Sequence, residues 1–423
     1  MKVLIISHNP INTYQNMGKT MLSLFSALNK DELCQLYIYP TVPDVDKCSS
    51  YYRVTDKDVL SSFYKFKVNG RVISPDCSVH KMYENENDQR VYSNPKNKST
   101  LRRIERDAIW KFSHWYNKSL KSWLEKEAPT HIFIAPGTAK CIYNMALKIS
   151  RDRNIPIVTY VCDDYYFVKP EKKFVSRAVQ KSFHKKIEKL MQKSTHIVTI
   201  CKGVEDEYFA KFNVPATTVM TGSNYNVEEQ IKSLDSVTTL RYMGNISCNR
   251  YMSLADIGRA LDEINSESGT DYSLEIFTGE KNETVLSVFK DIKSVKLCGY
   301  VSGEAFHSTF KSSEILVHTE AFDEASIDIV KNSVSTKIAD SLASGIVLFA
   351  YGPAQVASMR HLIDNDCAVI ATNKEGLKES LKDLFSNKAL RDQKAIKALE
   401  VARENHDSRV AGKKIRDVFE NIH

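Results

Sequence analysis

The sequence contains no apolar run approaching the roughly 18 residues of a membrane-spanning helix, which argues against a helical integral membrane protein. The stretch VLII near Met1 is too short for a signal-peptide core and reads as a first strand. Paired cysteines are also missing. The nine present (Cys34, Cys48, Cys77, Cys141, Cys162, Cys201, Cys248, Cys298, Cys367) are scattered singly, without CxxC spacing or a nearby histidine set. Neither a disulfide framework nor a zinc site is indicated, and a reducing cytoplasm is the default compartment. The glycines of a phosphate loop are incomplete: Gly18-Lys19-Thr20 imitates the end of GxxxxGK[ST], but Thr13 stands where the first glycine belongs. No carboxylate pair has metal-ligand spacing, so no metal is expected.

What is present suits a globular chain of 423 residues and 42% apolar content, long enough for two large domains. Charge is uneven along it, with 35 basic against 22 acidic residues up to residue 225 and 24 against 30 beyond. That asymmetry implies that the first half faces something anionic, whether a membrane surface, an anionic lipid carrier or nucleic acid, or else that it is a basic surface without a partner. Strands and helices alternate. A strand in MKVLIISHNP leads to a helix in MGKTMLSLFSALN; HIFIAP (131–136) and IPIVTYVCDDYY (155–166) flank another helix; and HIVTIC (196–201) follows a lysine-rich helix. The pattern restarts with TLRYMG and runs through YSLEIFTG, VKLCGYV and EILVHT. Such alternation predicts an α/β chain of two Rossmann-like doubly wound parallel-sheet domains. Residues 1–223 form the first domain, with an insertion at about 41–126, and 224–237 form a polar linker. Residues 238–406 form the second domain, and 407–423 a helix that returns to the first. Within the insertion, Thr100 to Lys126 predicts one long helix carrying all three tryptophans, either as core or as a basic interfacial anchor.

The densest stretch is NSVSTKIADSLASGIVLFAYGP, residues 332–353. Ser335 and Thr336 suit an N-cap, Ile338, Leu342 and Ala343 share one helical face, and Gly345 suits the C′ position. A helix amino end that carries hydroxyls and Lys337 is either an anion site or an ordinary capped helix. In open α/β sheets ligands bind beyond the carboxyl ends of the strands, where Gly244, Arg250, Tyr300 and Ser335 fall. Arg250, Lys337 and nearby amides suit a diphosphate, while Asp340 suits a diol such as ribose. In the first half a single glycine, Gly18, heads the first helix and permits a ligand near backbone amides.

On these motifs the chain resembles the retaining GT-B glycosyltransferases of family four, closest to members found in surface polysaccharide synthesis. VSTKIADSLASG is similar to the family signature whose acidic residue binds the nucleotide ribose, with Asp340 in that place. YMGNISCNR is similar to its glycine loop, with Arg250 at a diphosphate-binding position and Asn245 where arginine is usual. GYV (299–301) resembles the loop that reads the nucleobase, and VHTEAFDE the segment with the first acidic residue, making Glu320 the catalytic-site acid. SHNPINTYQNMGKT resembles the glycine loop near the donor phosphate. IPIVTYVCDD resembles the strand preceding a donor-sugar contact, which puts Asp163 and Asp164 there.

The resemblance implies a first domain for the acceptor and a second for the donor, facing across a cleft. It implies hexosyl or N-acetylhexosaminyl transfer from a UDP- or GDP-sugar to a lipid-linked or polymeric glycan, without metal or other cofactor. Its partners would be the nucleotide sugar, the acceptor and a cytoplasmic membrane face, with no nucleic acid. Asp163 or Asp164 would position a donor hydroxyl or take the acceptor proton; alternatively the pair caps a helix beginning near Tyr165. Two other readings stand beside transfer: a noncatalytic nucleotide-sugar-binding partner of a glycosyltransferase complex, and a GT-B-like sugar-nucleotide epimerase.

Overall fold

The computed structural model describes residues 1–13, 16–65, 70–77, 100–169, 173–223 and 225–422. The chain divides into two compact units, Met1–Thr221 with Ser408–His423, and Gly222–Asp407. Among the described residues no helix is long and apolar enough to cross a membrane.

Eight strands build the sheet of the first unit: β1 (Val3–Ser7), β2 (Leu33–Tyr37), β3 (Ser50–Arg53), β4 (Arg71–Ile73), β5 (His131–Ile134), β6 (Ile157–Val161), β7 (Ser194–Thr199) and β8 (Ala216–Thr218). Their order is β4-β3-β2-β1-β5-β6-β7-β8. All neighbours are parallel except β3 and β4. Every residue of β1 is buried, as a strand covered on both faces requires. It lies at the switch point of the order, with Val3 opposite Leu33 on one side and His131 on the other.

Three expectations for this unit change. The 41–126 stretch is not a separate insertion, because β3 and β4 within it extend the main sheet; its residues 66–69 and 78–99 lie outside the described residues. The single helix over 100–126 is two, Thr100–Phe112 and Lys118–Glu127, because the Asn117 side chain accepts from Leu120 N and caps a fresh start. Trp110 and Trp123 of these helices are buried, and their indole N–H groups donate to Asp56 and Ser50. Finally, no helix begins near Tyr165 among the described residues, where the next one spans Phe174–Met191.

The second unit carries β9 (Thr239–Met243), β10 (Ser273–Phe277), β11 (Val295–Gly299), β12 (Ile315–Thr319), β13 (Leu348–Tyr351) and β14 (Val369–Ala371). Their order is β11-β10-β9-β12-β13-β14, parallel throughout. Its switch point lies between β9 and β12, so the loops after Met243 and Thr319 flank the crevice where such sheets bind ligands. Residues read as a linker pack on this unit instead. Glu228 N and Lys232 N donate to the carbonyls of Ala343 and Gly345, and Arg391 donates to those of Leu234 and Asp235. Gly345 has φ +71°, and a Cβ there would lie 2.6 Å from the Gln230 carbonyl, so glycine is required both for the turn and for this approach.

The last helix, Ser408–Glu420, belongs to the first unit. Arg416 makes a paired contact with Glu32, at 2.8 and 3.1 Å, and also donates to the Ala27 carbonyl. A Cβ on Gly412 would stand 2.6 Å from Ala27 N, so the helix backbone rides directly on the turn after the first helix, Asn16–Leu24.

Candidate functional site

The second unit's site starts from Gly244, directly after β9. Its φ of +143° is open almost only to glycine, and an added Cβ would lie 2.4 Å from Lys337 Nζ. Gly244 N donates to the Phe277 carbonyl at 2.8 Å, tying this turn to the end of β10. Lys337 reaches the turn from the first turn of the helix Thr336–Ala343, whose N-cap is Ser335. Its ammonium lies 3.3 Å from the Tyr242 hydroxyl and 4.7 Å from the centre of that ring. No carboxylate pairs with it among the described residues. A helix amino end, a glycine turn and an uncompensated cation therefore converge on one point, which is the composition of an anion site.

Beside this point opens a cavity of about 350 Å³, lined by Gly244, Asn245, Phe277, Gly279, Tyr300 and Phe306 among others. Tyr300 is 75% exposed, and its ring stands over Gly279, where a Cβ would come within 3.4 Å. An aromatic wall beside bare backbone suits a flat heterocycle. Asp340, one turn beyond Lys337 on the same helix, accepts from the Ser223 hydroxyl at 3.0 Å. Burial and the nearby Asp340 carboxylate push the Tyr225 phenol up to about 12.

Arg250 and Glu320 fall together, but as partners of each other. Arg250 opens the helix Arg250–Ser268, and its Nε and Nη2 lie 2.8 and 3.2 Å from the two Glu320 carboxylate oxygens. Glu320 is 2% exposed, its carbonyl accepts from Ser253, and Ser358 Oγ lies 3.4 Å from its Oε1. Nη1 of Arg250 takes no part in the pair. The guanidinium is presented by Cys248 and Asn249, at φ +53° and +54°, two consecutive left-handed residues that are not glycine. Asn249 is braced by its hydrogen bond to Asp323, which itself caps the helix Glu324–Val330.

His318, two residues upstream, is pushed down to about 4 by burial and is neutral at pH 7; its Nε2 has no hydrogen-bond partner among the described residues. The 3.5 Å from Nε2 to Glu320 is therefore not an ion pair at that pH. His361, half-buried and 2.9 Å from the buried His406, is pushed down to about 3 by desolvation and by that neighbouring ring. Both folded values lie below the ordinary histidine value of 6.5, so the unfolded chain takes up protons first as pH falls. The second unit's stability is thus fully present above 6.5 and declines from there toward 4, and its thermal midpoint is expected to drop between pH 7 and pH 5. A midpoint unchanged over that interval would show that these rings do not stay neutral in the fold.

Gly18, Asp163 and Asp164 belong to the first unit. A Cβ on Gly18 would lie 2.5 Å from the buried side chain of Asn12, so close packing alone demands glycine there. Asp164 Oδ1 accepts from Tyr166 N, Phe167 N and the Tyr208 hydroxyl, closing a turn rather than capping a helix. Asp163 is exposed, with Tyr165 donating to it at 3.1 Å. His8, at the switch point after β1, went unremarked in the sequence; it is half-buried against Gly137 and the Pro136 carbonyl and pushed down to about 4 by desolvation. Tyr242, Phe277 and Ser223 were also missed, since no local pattern marks them.

No protein-family model matches the chain, and no curated protein matches it in sequence. Solved structures do. An alpha,alpha-trehalose-phosphate synthase (UDP-forming) from Burkholderia xenovorans, in complex with glucose-6-phosphate, is 9% identical over 99% of this chain and 100% of its own, with a TM-score of 0.60. HepE from Anabaena, in complex with UDP, is 10% identical over the whole of both chains, with a TM-score of 0.61. The chain has the GT-B fold. A sucrose-phosphate synthase from Thermosynechococcus elongatus, at 9% identity and a TM-score of 0.60 over 99% of this chain and 98% of its own, shares that fold. Within GT-B, the turn at Gly244 and the helix amino end at Ser335 lie in the unit that also carries Glu320 and Arg250.

Proposed function

We propose that this chain is a glycosyltransferase that takes its sugar from a nucleoside-diphosphate donor. The observation that carries the reading is the uncompensated Lys337 ammonium at the helix amino end beside the Gly244 turn, next to a cavity walled by Tyr300. In this reading the base lies against Tyr300 and the diphosphate meets Lys337 and the amides near Ser335. Asp340 accepts from a ribose hydroxyl. Positive groups at the diphosphate stabilise the charge that grows there as the glycosidic bond breaks. The UDP bound by HepE, and the UDP-forming character of the trehalose-phosphate synthase, favour a uridine donor.

The finer assignments are transfer of a hexosyl or N-acetylhexosaminyl unit with retention, independent of metal, to a lipid-linked or polymeric glycan at the inner membrane face. Gly18 serves as the first unit's glycine near the donor, and Asp163, the more exposed of the two acids, positions a donor hydroxyl or takes the acceptor proton. Glu320 acts on the reaction through Arg250, holding its guanidinium in place with Nη1 directed to ligand. Two observations favour the noncatalytic partner as a second reading: Arg250 is already paired, and Asn245 stands where the resembling signature has arginine.

A thermal-shift screen of nucleoside diphosphates tests the proposal. UDP is expected to raise the midpoint, and Asp340→Ala to weaken UDP by about tenfold, the scale of one hydrogen bond to a charged group. The absence of any nucleoside-diphosphate shift, together with an Asp340→Ala variant indistinguishable from the parent, would sink it. Sugar release from UDP-glucose or UDP-N-acetylglucosamine, assayed with and without glycan acceptors, separates transfer from mere binding.

A further inference from the structure

The first unit has a second concave feature, a groove of about 1180 Å³ between the 113–117 connection, the helix Lys140–Arg153 and the carboxyl end of the helix Phe174–Met191. Lys121, Lys148, Arg151, Lys186, Lys189 and Lys193 line it, and no carboxylate does among the described residues. Asp152 at its edge is already shared by Lys148 and Arg151, at 2.9 and 3.3 Å. Among the described residues Lys186 donates only to the neutral Asn144 amide oxygen, at 2.7 Å, and burial followed by the neighbouring Lys189 and Lys140 charges lowers its pKa against a smaller opposing pull from Asp107. Lys189 and Lys193 are exposed and have no ion-pair partner among the described residues. Cations gathered this closely with few carboxylates beside them repel one another, and an anionic ligand relieves that repulsion.

The groove's place separates it from the strand ends that bind ligands. Its lining includes Asn154, Ile155 and Pro156, just ahead of the amino end of β6, whereas Asp163 and Asp164 follow the carboxyl end of that strand. Its tyrosine, Tyr116, is not a free platform. Lys121 and Lys148 stand 5.1 and 5.4 Å over the Tyr116 ring, and Trp115 is tilted against the same ring at 5.4 Å. Stacked nucleobases therefore find the Tyr116 ring already occupied, and a concave trench suits an inserted chain better than a flat lipid surface.

We propose that this groove binds a linear acidic glycan, a sugar chain bearing carboxylate or phosphate groups. The inference rests on the reading of the chain as a glycosyltransferase with a glycan acceptor, and it assigns that acceptor a negative charge. The groove lysines hold the anionic groups along one stretch of the chain, away from the strand ends where transfer is assigned.

The test uses the full chain, decagalacturonate as probe, and the double variant Lys189→Glu/Lys193→Glu. Titration in about 150 mM salt is expected to give saturable binding that the variant weakens by about tenfold or more, because two attractions become repulsions only partly screened at that salt. Lys189→Arg/Lys193→Arg is expected to bind as the parent does, and the UDP thermal shift to be the same in all three proteins. The inference is overturned if decagalacturonate does not bind saturably, or binds the Glu variant equally well. It is also overturned if phosphatidylglycerol vesicles or single-stranded RNA are held through these lysines while decagalacturonate is not. Loss of uronate binding with the UDP shift intact removes this inference alone; loss of the UDP shift removes the donor reading beneath it.

Discussion

Glu320→Ala is expected to destabilise the second unit by about 3–5 kcal/mol, the scale on which breaking a buried ion pair leaves one charge uncompensated. Glu320 is 2% exposed and is held through both oxygens by Arg250, whose own side chain is 19% exposed. Truncation strands the guanidinium and also empties the space beneath Ser358. Glu320→Gln keeps the shape and one acceptor, so it is expected to cost less. Urea unfolding followed by a probe in the second unit checks this, read beside donor turnover. If Glu320 instead acts directly on the sugar, Glu320→Ala leaves the unfolding midpoint where it was while abolishing turnover, and the positioning role assigned to it falls.

Gly244→Ala is expected to weaken UDP by about a hundredfold, because backbone strain of about 1–3 kcal/mol at its φ of +143° adds to the displacement of Lys337. The methyl group would occupy the space of the ammonium itself, at 2.4 Å, so either the turn or the lysine has to move. Lys337→Met separates the two effects. It removes the charge and leaves the turn, so its loss reports the cation's share, and the excess in Gly244→Ala reports the turn's. Calorimetric titration with UDP measures both. Equal UDP affinity in Gly244→Ala and the parent would rule out a diphosphate at this turn.

Both experiments address contacts that the sequence hides. Arg250 and Glu320, like Gly244 and Lys337, lie far apart in the chain, and pattern reading assigns each to a ligand because it cannot show that a side chain is engaged by a neighbour. The fold was more legible, since strands buried on both faces write themselves as apolar runs such as VLIIS of β1 and LFAY of β13. Strands β2 and β3 were obscured by polar residues that are buried and bonded. Gln35 accepts from Ile11 N and donates to Ser7, and Arg53 donates to the Thr41 carbonyl, which places amide and guanidinium groups inside a core. The helix break at 113–117 was missed because its one sign is the capping side chain of Asn117, while the apolar spacing carries on across it. Asp164 fared better in kind than in detail: a local backbone role was among the alternatives, and the structure makes it a turn.

The return of Ser408–Glu420 to the first unit also orders events during synthesis. Phe419 packs against Phe133 of the central strand β5, and Ile415 is fully buried, so the first sheet lacks part of its cover until residues 408–420 have left the ribosome. The second unit, whole by residue 407, is free to complete its own core first. A nascent chain stalled after the second unit would therefore expose apolar surface at β5 and at the first helix, making it the species most in need of a chaperone.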